Sequence, residues 1–219
     1  MTGNGFSLAM LTTTPTPGII QLRGIRWHTY EALQADLDRS DRGLRLTYYQ
    51  GDLEIMAPSP EHELYKRTAG RLIETIAEEL EIDYLPLGST TLKQPERIGG
   101  EPDECFYIQN LAAIRGKKRI DLEVDPPPDL VVEIDITHSS QTRLAMYAEL
   151  GVPEVWQYRP GEFKIYCLYQ GSYLISDRSQ IFPTFPVADL YQFLDRAFES
   201  SYPELIREFR SWVKRQIAS

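Results

Sequence analysis

Carboxylates within an apolar stretch are the first chemical feature of the sequence. Residues 130–136 read Leu-Val-Val-Glu-Ile-Asp-Ile, and this β-branched run predicts a buried strand. Because side chains alternate along a strand, Glu133 and Asp135 share one face, and Asp103 opens another strand-like segment. Acids in a half-covered space need a cationic partner, and hard oxygen ligands suit Mg²⁺ or Mn²⁺. If the two strands are neighbours, Asp103 and Glu133 are predicted to hold a metal ion, with Asp135 as a further ligand.

The same acidic spacing also has a plainer interpretation. Many edge strands carry Glu-x-Asp with both side chains in water, and this alternative stays open on spacing alone. The apolar residues around Glu133 favour the buried site, because central strands seldom carry unpaired acids on a buried face.

Glu54 and His62 are second-tier candidates for the same site. Glu54 lies in a predicted hairpin over 44–56, where exposure to water is the alternative to a role as an added ligand. His62 follows Pro58-Ser59-Pro60 near the start of a predicted helix, where capping or solvent exposure is the alternative. The three histidines are dispersed along the chain, which makes a zinc cluster improbable.

The elements that must position these residues alternate between strands and helices. The pattern predicts the hairpin at 44–56, a long helix from Pro60 to about 81, strands at 84–87, 104–108 and 130–136, a helix ending at Gly151, a strand meander over 155–176, and helices at 187–196 and 203–216. Ser139 or Ser140 is predicted to cap the helix that ends at Gly151, and with Thr137 these hydroxyls could alternatively bind a phosphate. We expect one α/β domain over 25–219, with a mixed central sheet flanked by helices, after a flexible lead at 1–24.

Composition restricts the class of protein. The net charge of −9 disfavours a dedicated nucleic-acid binder, although an enzyme can bind nucleic acid locally through metal ions and a few basic side chains. The basic loop 115–119 and a basic helix face with Arg207, Arg210 and Lys214 could contact a polyanion, or simply face water. The two cysteines are expected to be buried free thiols. Without a signal-like start or an apolar run of membrane length, the sequence predicts a cytoplasmic protein.

Four segments together resemble a known family. PPDLVVEIDITHSS at 127–140 and RLAMYAELGVPEVWQY at 143–158 are similar to a bacterial restriction-endonuclease-like family of the PD-(D/E)xK nuclease superfamily. GDLEIMAPSPEH at 51–62 and EPDECFYI at 101–108 fit the same family in the same order. The resemblance covers roughly residues 25 to 215, and it implies Mg²⁺-dependent cleavage of DNA phosphodiester bonds by a restriction-endonuclease-like fold.

The resemblance also implies residue roles. Asp103 matches the Asp of the PD half-motif, and Glu133 matches the acid of (D/E)xK. The motif's Lys is replaced by Asp135, and Arg143 stands where relatives place a Lys in the following helix. Arginine can stabilise charge on a phosphoryl group but cannot act as a general base.

Two functions therefore stay open. The chain is either a metal-dependent endonuclease or a catalytically inactive nuclease fold that binds nucleic acid or a protein partner. Many nucleases of this class act as homodimers, and the sequence is compatible with either a monomer or a homodimer.

Overall fold

The computed structural model describes residues 18–40, 43–136 and 141–218. The strands in these ranges are β1 (Ile19–Leu22), β2 (Arg45–Tyr49), β3 (Asp52–Met56), β4 (Leu85–Pro86), β5 (Leu92–Gln94), β6 (Ile98–Gly100), β7 (Glu104–Tyr107), β8 (Leu130–Ile134), β9 (Glu154–Arg159), β10 (Glu162–Tyr169) and β11 (Ser172–Ser176). The helices are α1 (Trp27–Ser40), α2 (Pro60–Glu79), α3 (Leu111–Ile114), α4 (Gln141–Leu150), α5 (Tyr191–Leu194) and α6 (Tyr202–Ile217), and a 3₁₀ turn at Val187–Leu190 precedes α5.

A six-stranded mixed sheet forms the centre of the fold, in the order β11-β10-β9-β8-β7-β4. β8 and β9 are parallel because α4 crosses over between them, whereas the other neighbouring strands are antiparallel. One face packs under α2 and α6, and its core includes Leu130, Val132 and Trp156. The opposite face packs against α4 through Val131, Val155 and Tyr147 among others. The predicted fold class, a mixed central sheet flanked by helices, is confirmed.

The remaining strands form a second sheet, which the sequence analysis did not separate from the first. This five-stranded antiparallel sheet has the order β1-β3-β2-β6-β5 and packs against α1 through a small core around Tyr30, Leu46 and Tyr48. β3 therefore lies inside a sheet and not on an outer edge. Its neighbour β1 lies within the stretch 1–24 that we expected to be a flexible lead, because Ile19 to Leu22 complete the hydrogen bonding of β3.

Other features follow the sequence more closely. Cys105 and Cys167 are buried free cysteines, as expected. The predicted caps Ser139 and Ser140 lie outside the described residues, as do Thr137 and His138. Within the described ranges, no helix combines the length and apolar character needed to cross a bilayer.

Candidate active site

Asp103 is held at the point where β7 and β8 meet. Glu104 lies opposite Val132 in this antiparallel pair, so the preceding Asp103 falls beside Glu133 and Ile134. The Ile134 backbone N–H donates to Asp103 Oδ2 at 2.7 Å, and this bond locks the carboxylate to the end of β8. The side chain is only 1% exposed, so its remaining partners must come from the protein.

The side chains of Arg45 and His62 supply those partners. Arg45 Nη1 donates to Asp103 Oδ1, and Arg45 Nη2 donates to Glu63 Oε1 at 2.8 Å. His62 Nε2 lies 3.1 Å from Asp103 Oδ2. His62 is placed there by the start of α2, where the Ser59 hydroxyl caps the helix by accepting from the His62 backbone N–H at 3.1 Å. The sequence therefore positions His62 through an ordinary capping motif.

Glu133 points to the face of the central sheet that α4 covers. Arg143 Nη1 donates to Glu133 Oε2 at 2.7 Å, and the Tyr147 hydroxyl donates to Glu133 Oε1. Arg143 and Tyr147 are one helical turn apart on α4, so the same helix face delivers both donors. Glu133 is only 1% exposed, which makes these partners essential.

Arg143 also links the two sheets. Its Nη2 donates to Glu54 Oε1 at 2.7 Å, and Gln21 donates to the other Glu54 oxygen at 3.2 Å. Glu54 is largely buried on β3, so the exposed alternative considered for it is not the arrangement in the structure. The guanidinium thus bridges an acid of the central sheet and an acid of the second sheet.

Asp135 lies beside this carboxylate pair but has partners on β9. Gln157 Nε2 donates to Asp135 Oδ2 at 2.8 Å, and Arg159 Nη2 lies 3.8 Å from the same oxygen. Gln157 is the neighbour of Glu133 across the parallel β8–β9 ladder, so these two partners of Asp135 come from β9. The structure therefore brings together Asp103, Glu133, Arg143, Glu54 and His62, and it places Asp135 beside them with different partners.

The environment shifts the pKa values of Asp103 and Glu133 in opposite directions. Burial by itself would raise the pKa of Asp103, but the hydrogen bond and charge of His62, with Arg45 and Arg143, lower the pKa below its ordinary value. For Glu133, burial and the nearby charge of Asp103 raise the pKa despite Arg143 and Tyr147. Asp103 is consequently an ionised acceptor, whereas Glu133 retains a proton more readily than an ordinary glutamate.

The pair could hold a divalent cation. Asp103 Oδ1 accepts one hydrogen bond, as does each oxygen of Glu133, so each of these three atoms keeps an acceptor position. Arg45 and Arg143 also contact one further acid each, and this leaves the site with more carboxylates than arginines. Within the described ranges no three acidic, His or Cys side chains converge in a metal-binding group. Mg²⁺ is, however, commonly held by one or two carboxylates together with water and substrate phosphates.

The predicted basic surfaces lie elsewhere. The loop 115–119 follows β7, so it belongs to the end of the central sheet opposite Asp103. On α6, Arg210 is paired with Glu78 and Glu79 of α2, which neutralises part of the predicted basic face. The hydroxyls of Thr137, Ser139 and Ser140 lie outside the described residues.

Three site residues were missed by the sequence analysis. Arg45 is the one charged residue in a strand of mostly apolar and aromatic residues, and that charge was the available signal. Tyr147 lies one helical turn after Arg143, and this spacing was the available signal that the two side chains share a partner. Gln157 had no signal of its own, since its contact with Asp135 depends on the β8–β9 register.

Comparison with known proteins identifies the family. Residues 27–199 match the model of the Uma2 family, described as "Putative restriction endonuclease". Among solved structures, the crystal structure of a "putative nuclease" from Anabaena variabilis ATCC 29413 has a TM-score of 0.46 and 18% identity, covering 77% of this chain and 90% of that chain. No curated protein matches. Because the family model spans most of the sequence, including Asp103, Glu133 and Arg143, the chain belongs to the Uma2 restriction-endonuclease-like family.

Proposed function

We propose that the protein is a metal-dependent endonuclease that hydrolyses DNA phosphodiester bonds at the Asp103–Glu133 pair. The observation that carries the proposal is the juxtaposition of two buried carboxylates at the adjoining ends of β7 and β8. Membership of the Uma2 family supports a nuclease activity at this pair. The metal would be Mg²⁺ or Mn²⁺, for which carboxylate oxygens are suitable ligands.

The chain's own residues would prepare the site for this chemistry. A metal ion bound to Asp103 and Glu133 would polarise a phosphoryl oxygen and favour ionisation of water. Arg45, His62 and the Ile134 amide fix the orientation of Asp103. Arg143 remains protonated and is suited to stabilise negative charge on the phosphoryl group, but not to remove a proton.

Metal binding by wild type and Glu133→Ala tests the proposal. Isothermal titration calorimetry with Mn²⁺ and Mg²⁺, with and without a DNA oligonucleotide, should show a site in wild type that the variant lacks. Glu162→Ala is the matched control, because Glu162 is an exposed acid on β10. Circular dichroism checks that each variant folds, and Glu133→Gln, which keeps the side-chain shape, replaces Glu133→Ala if the latter does not.

Cleavage of supercoiled plasmid completes the test. Wild type and Glu162→Ala should nick the plasmid when Mg²⁺ or Mn²⁺ is present, and folded Glu133 variants should not. Cleavage by a folded Glu133 variant at the wild-type rate would overturn the assignment of the site.

A second candidate function is a catalytically inactive module that binds nucleic acid or a protein partner. The specific observation in its favour is that Arg45 and Arg143 form buried ion pairs with Asp103 and Glu133, and these pairs can neutralise the two acids. Such a module would show no metal site in wild type, either alone or with DNA, and no cleavage.

A further inference from the structure

β11 is an edge strand of the central sheet, and it lacks the features that usually protect such an edge. It pairs with β10 on one side, and no described strand lies on its other side. Ser172–Ser176 contains no charged residue and no proline, and its pairing with β10 has no bulge. By contrast, β4 at the opposite edge is two residues long and includes Pro86, and the edge strand β5 of the second sheet includes Lys93. An unprotected edge of this kind is a template for pairing with another strand.

The side chains of β11 expose apolar surface on both faces of this edge. Leu174 lies opposite Cys167, on the face that packs under α2 and α6, and is 57% exposed. Ile175 lies opposite Tyr166, on the face that packs against α4, and is 64% exposed. A strand that paired with β11 would therefore remove apolar area from water on both faces.

A tight turn determines which backbone groups of β11 bond to β10. Gln170-Gly171 joins the two strands, and both residues have a positive φ, as in a two-residue type I′ hairpin. The residues that flank such a turn form a hydrogen-bonded pair, and every second residue along β11 then bonds to β10. The Leu168 N–H fits this alternation, because it donates at 2.8 Å to the Pro153 carbonyl on the β9 side. The N–H and C=O groups of Tyr173 and Ile175 consequently point away from β10.

A second copy of β11 fits this edge in an antiparallel register centred on Leu174, the midpoint of the strand. Tyr173 then lies opposite the partner's Ile175, and both residues direct their backbone groups outwards, so the pair can exchange two hydrogen bonds. The two-fold axis generates the same pair again with the roles of the copies reversed. Leu174 lies opposite the partner's Leu174 between these pairs, and the aromatic–β-branched pairs add side-chain contact.

Charge also favours this arrangement of two copies. Because each chain has a net charge of −9, two copies approach most easily through an uncharged surface, and residues 169–176 carry no charge. Asp177, the next residue along the chain, falls opposite the partner's Gly171 in this register. Arg178 falls opposite the partner's Gln170. No like charges therefore face each other across the two strands.

We propose that the protein forms a homodimer in which the two β11 strands pair in this register and join the two central sheets into one. The proposal goes beyond the proposed nuclease function and does not depend on it, since no residue of the carboxylate pair takes part. The interface consists of two short strands and their side chains, so we expect a weak dimer with a dissociation constant in the micromolar range.

Sedimentation velocity of the full chain over a series of protein concentrations tests the proposal. Wild type should change from monomer to dimer as its concentration rises through the micromolar range. Leu174→Lys should weaken the dimer at least about tenfold, because it places two ammonium groups opposite each other.

Ile20→Lys and Val124→Lys are matched controls for this variant. They introduce the same charge at apolar side chains that are 56% and 79% exposed, on β1 and in the turn before β8, and both should dimerise as wild type does. A wild type that stays monomeric, or a dimer that Leu174→Lys leaves unchanged, would overturn the proposal.

Disulfide cross-linking tests the register of the two strands. Opposed residues of a non-hydrogen-bonded pair have Cα atoms about 4.5 Å apart, so Leu174→Cys should give a covalent dimer on mild oxidation. Ile175→Cys is the matched control, because the two Ile175 residues would be two positions out of register and more than about 7 Å apart, beyond the reach of a disulfide. The native Cys105 and Cys167 are buried in both variants. Any pattern other than cross-linking of Leu174→Cys alone would overturn this register.

Dimerisation and plasmid cleavage give independent outcomes. A dimer with this pattern of variants, but without a metal site or cleavage, would keep the interface and remove the enzyme. A monomer that cleaves DNA would keep the enzyme, leave the β11 edge to a strand of another protein, and overturn the homodimer.

Discussion

Replacing Arg143 by Met should destabilise the protein through the acid that it leaves behind. Methionine keeps much of the apolar stem, so the main change is the loss of the bonds to Glu133 and Glu54. Removing one partner of a buried ion pair typically costs about 3–5 kcal/mol, because the remaining charge is uncompensated. Glu133 is the buried acid here, while Glu54 is partly exposed and should contribute only about 1 kcal/mol. We therefore expect a loss of about 3–5 kcal/mol at pH 8.

The same substitution should cost less once Glu133 is neutral. In a Glu133→Gln background the buried charge is absent, so Arg143→Met should cost about 2–3 kcal/mol less than in wild type, within the range of couplings between contacting residues. Lowering the pH should likewise reduce the stability cost of Arg143→Met. Burial raises the pKa of Glu133 in the folded protein above its value in the unfolded chain. The protonated form of Glu133 therefore stabilises the fold fully below the unfolded pKa, and this stabilisation is lost as the pH rises through the folded pKa.

Urea denaturation in EDTA, followed by tryptophan fluorescence at pH 5 and pH 8, measures both effects. The four proteins are wild type, the two single variants and the double variant, which complete a double-mutant cycle. A cost of Arg143→Met that is the same with and without Glu133, and the same at both pH values, would refute the idea that this acid controls the stability of the site.

Two further predictions concern acids near the site. Glu104→Gln should stabilise the protein at pH 8 but not at pH 4, because burial raises the pKa of Glu104 to about 7. Wild type should therefore lose up to about 3–4 kcal/mol of stability as the pH rises from 4 to 7. Urea denaturation of wild type and variant at pH 4 and pH 8 checks this, and an equal effect of the substitution at both pH values would contradict it. Asp103→Asn should cost about 3–5 kcal/mol at pH 7 because it leaves buried Arg45 without its buried partner, whereas the control Asp83→Asn, at an exposed ion pair, should change stability by less than about 0.5 kcal/mol.

The local parts of the fold could be predicted from the sequence. β-Branched runs and helical spacing indicated β8, α2 and α6, because each has a strong period and a clear boundary residue. The predicted metal site required the strands that carry Asp103 and Glu133 to be neighbours, and the antiparallel β7–β8 pair meets this requirement. The Uma2 match also confirms the family that the sequence resembled.

What could not be predicted depends on long-range packing. The division of the strands into two sheets depends on contacts between distant segments, such as β1 with β3 and β2 with β6. Arg45 joins the site only because β2 lies close to Asp103 in the folded chain. The direction of Asp135 is set by the parallel register of β8 and β9, which brings Gln157 to its side. No local pattern in the sequence encodes these relations.

The bridge from Arg143 to Glu54 also has a consequence for the order of events during synthesis. It joins residues 89 positions apart and closes a loop that includes α2 and β7, so it is among the contacts that form slowly. A ribosome delivers Arg45, Glu54 and His62 well before Glu133 and Arg143. A nascent chain consequently carries Asp103 and its early partners without a complete site. We expect competence for ligand binding to appear only after β8 and α4 have left the ribosome, close to the end of folding.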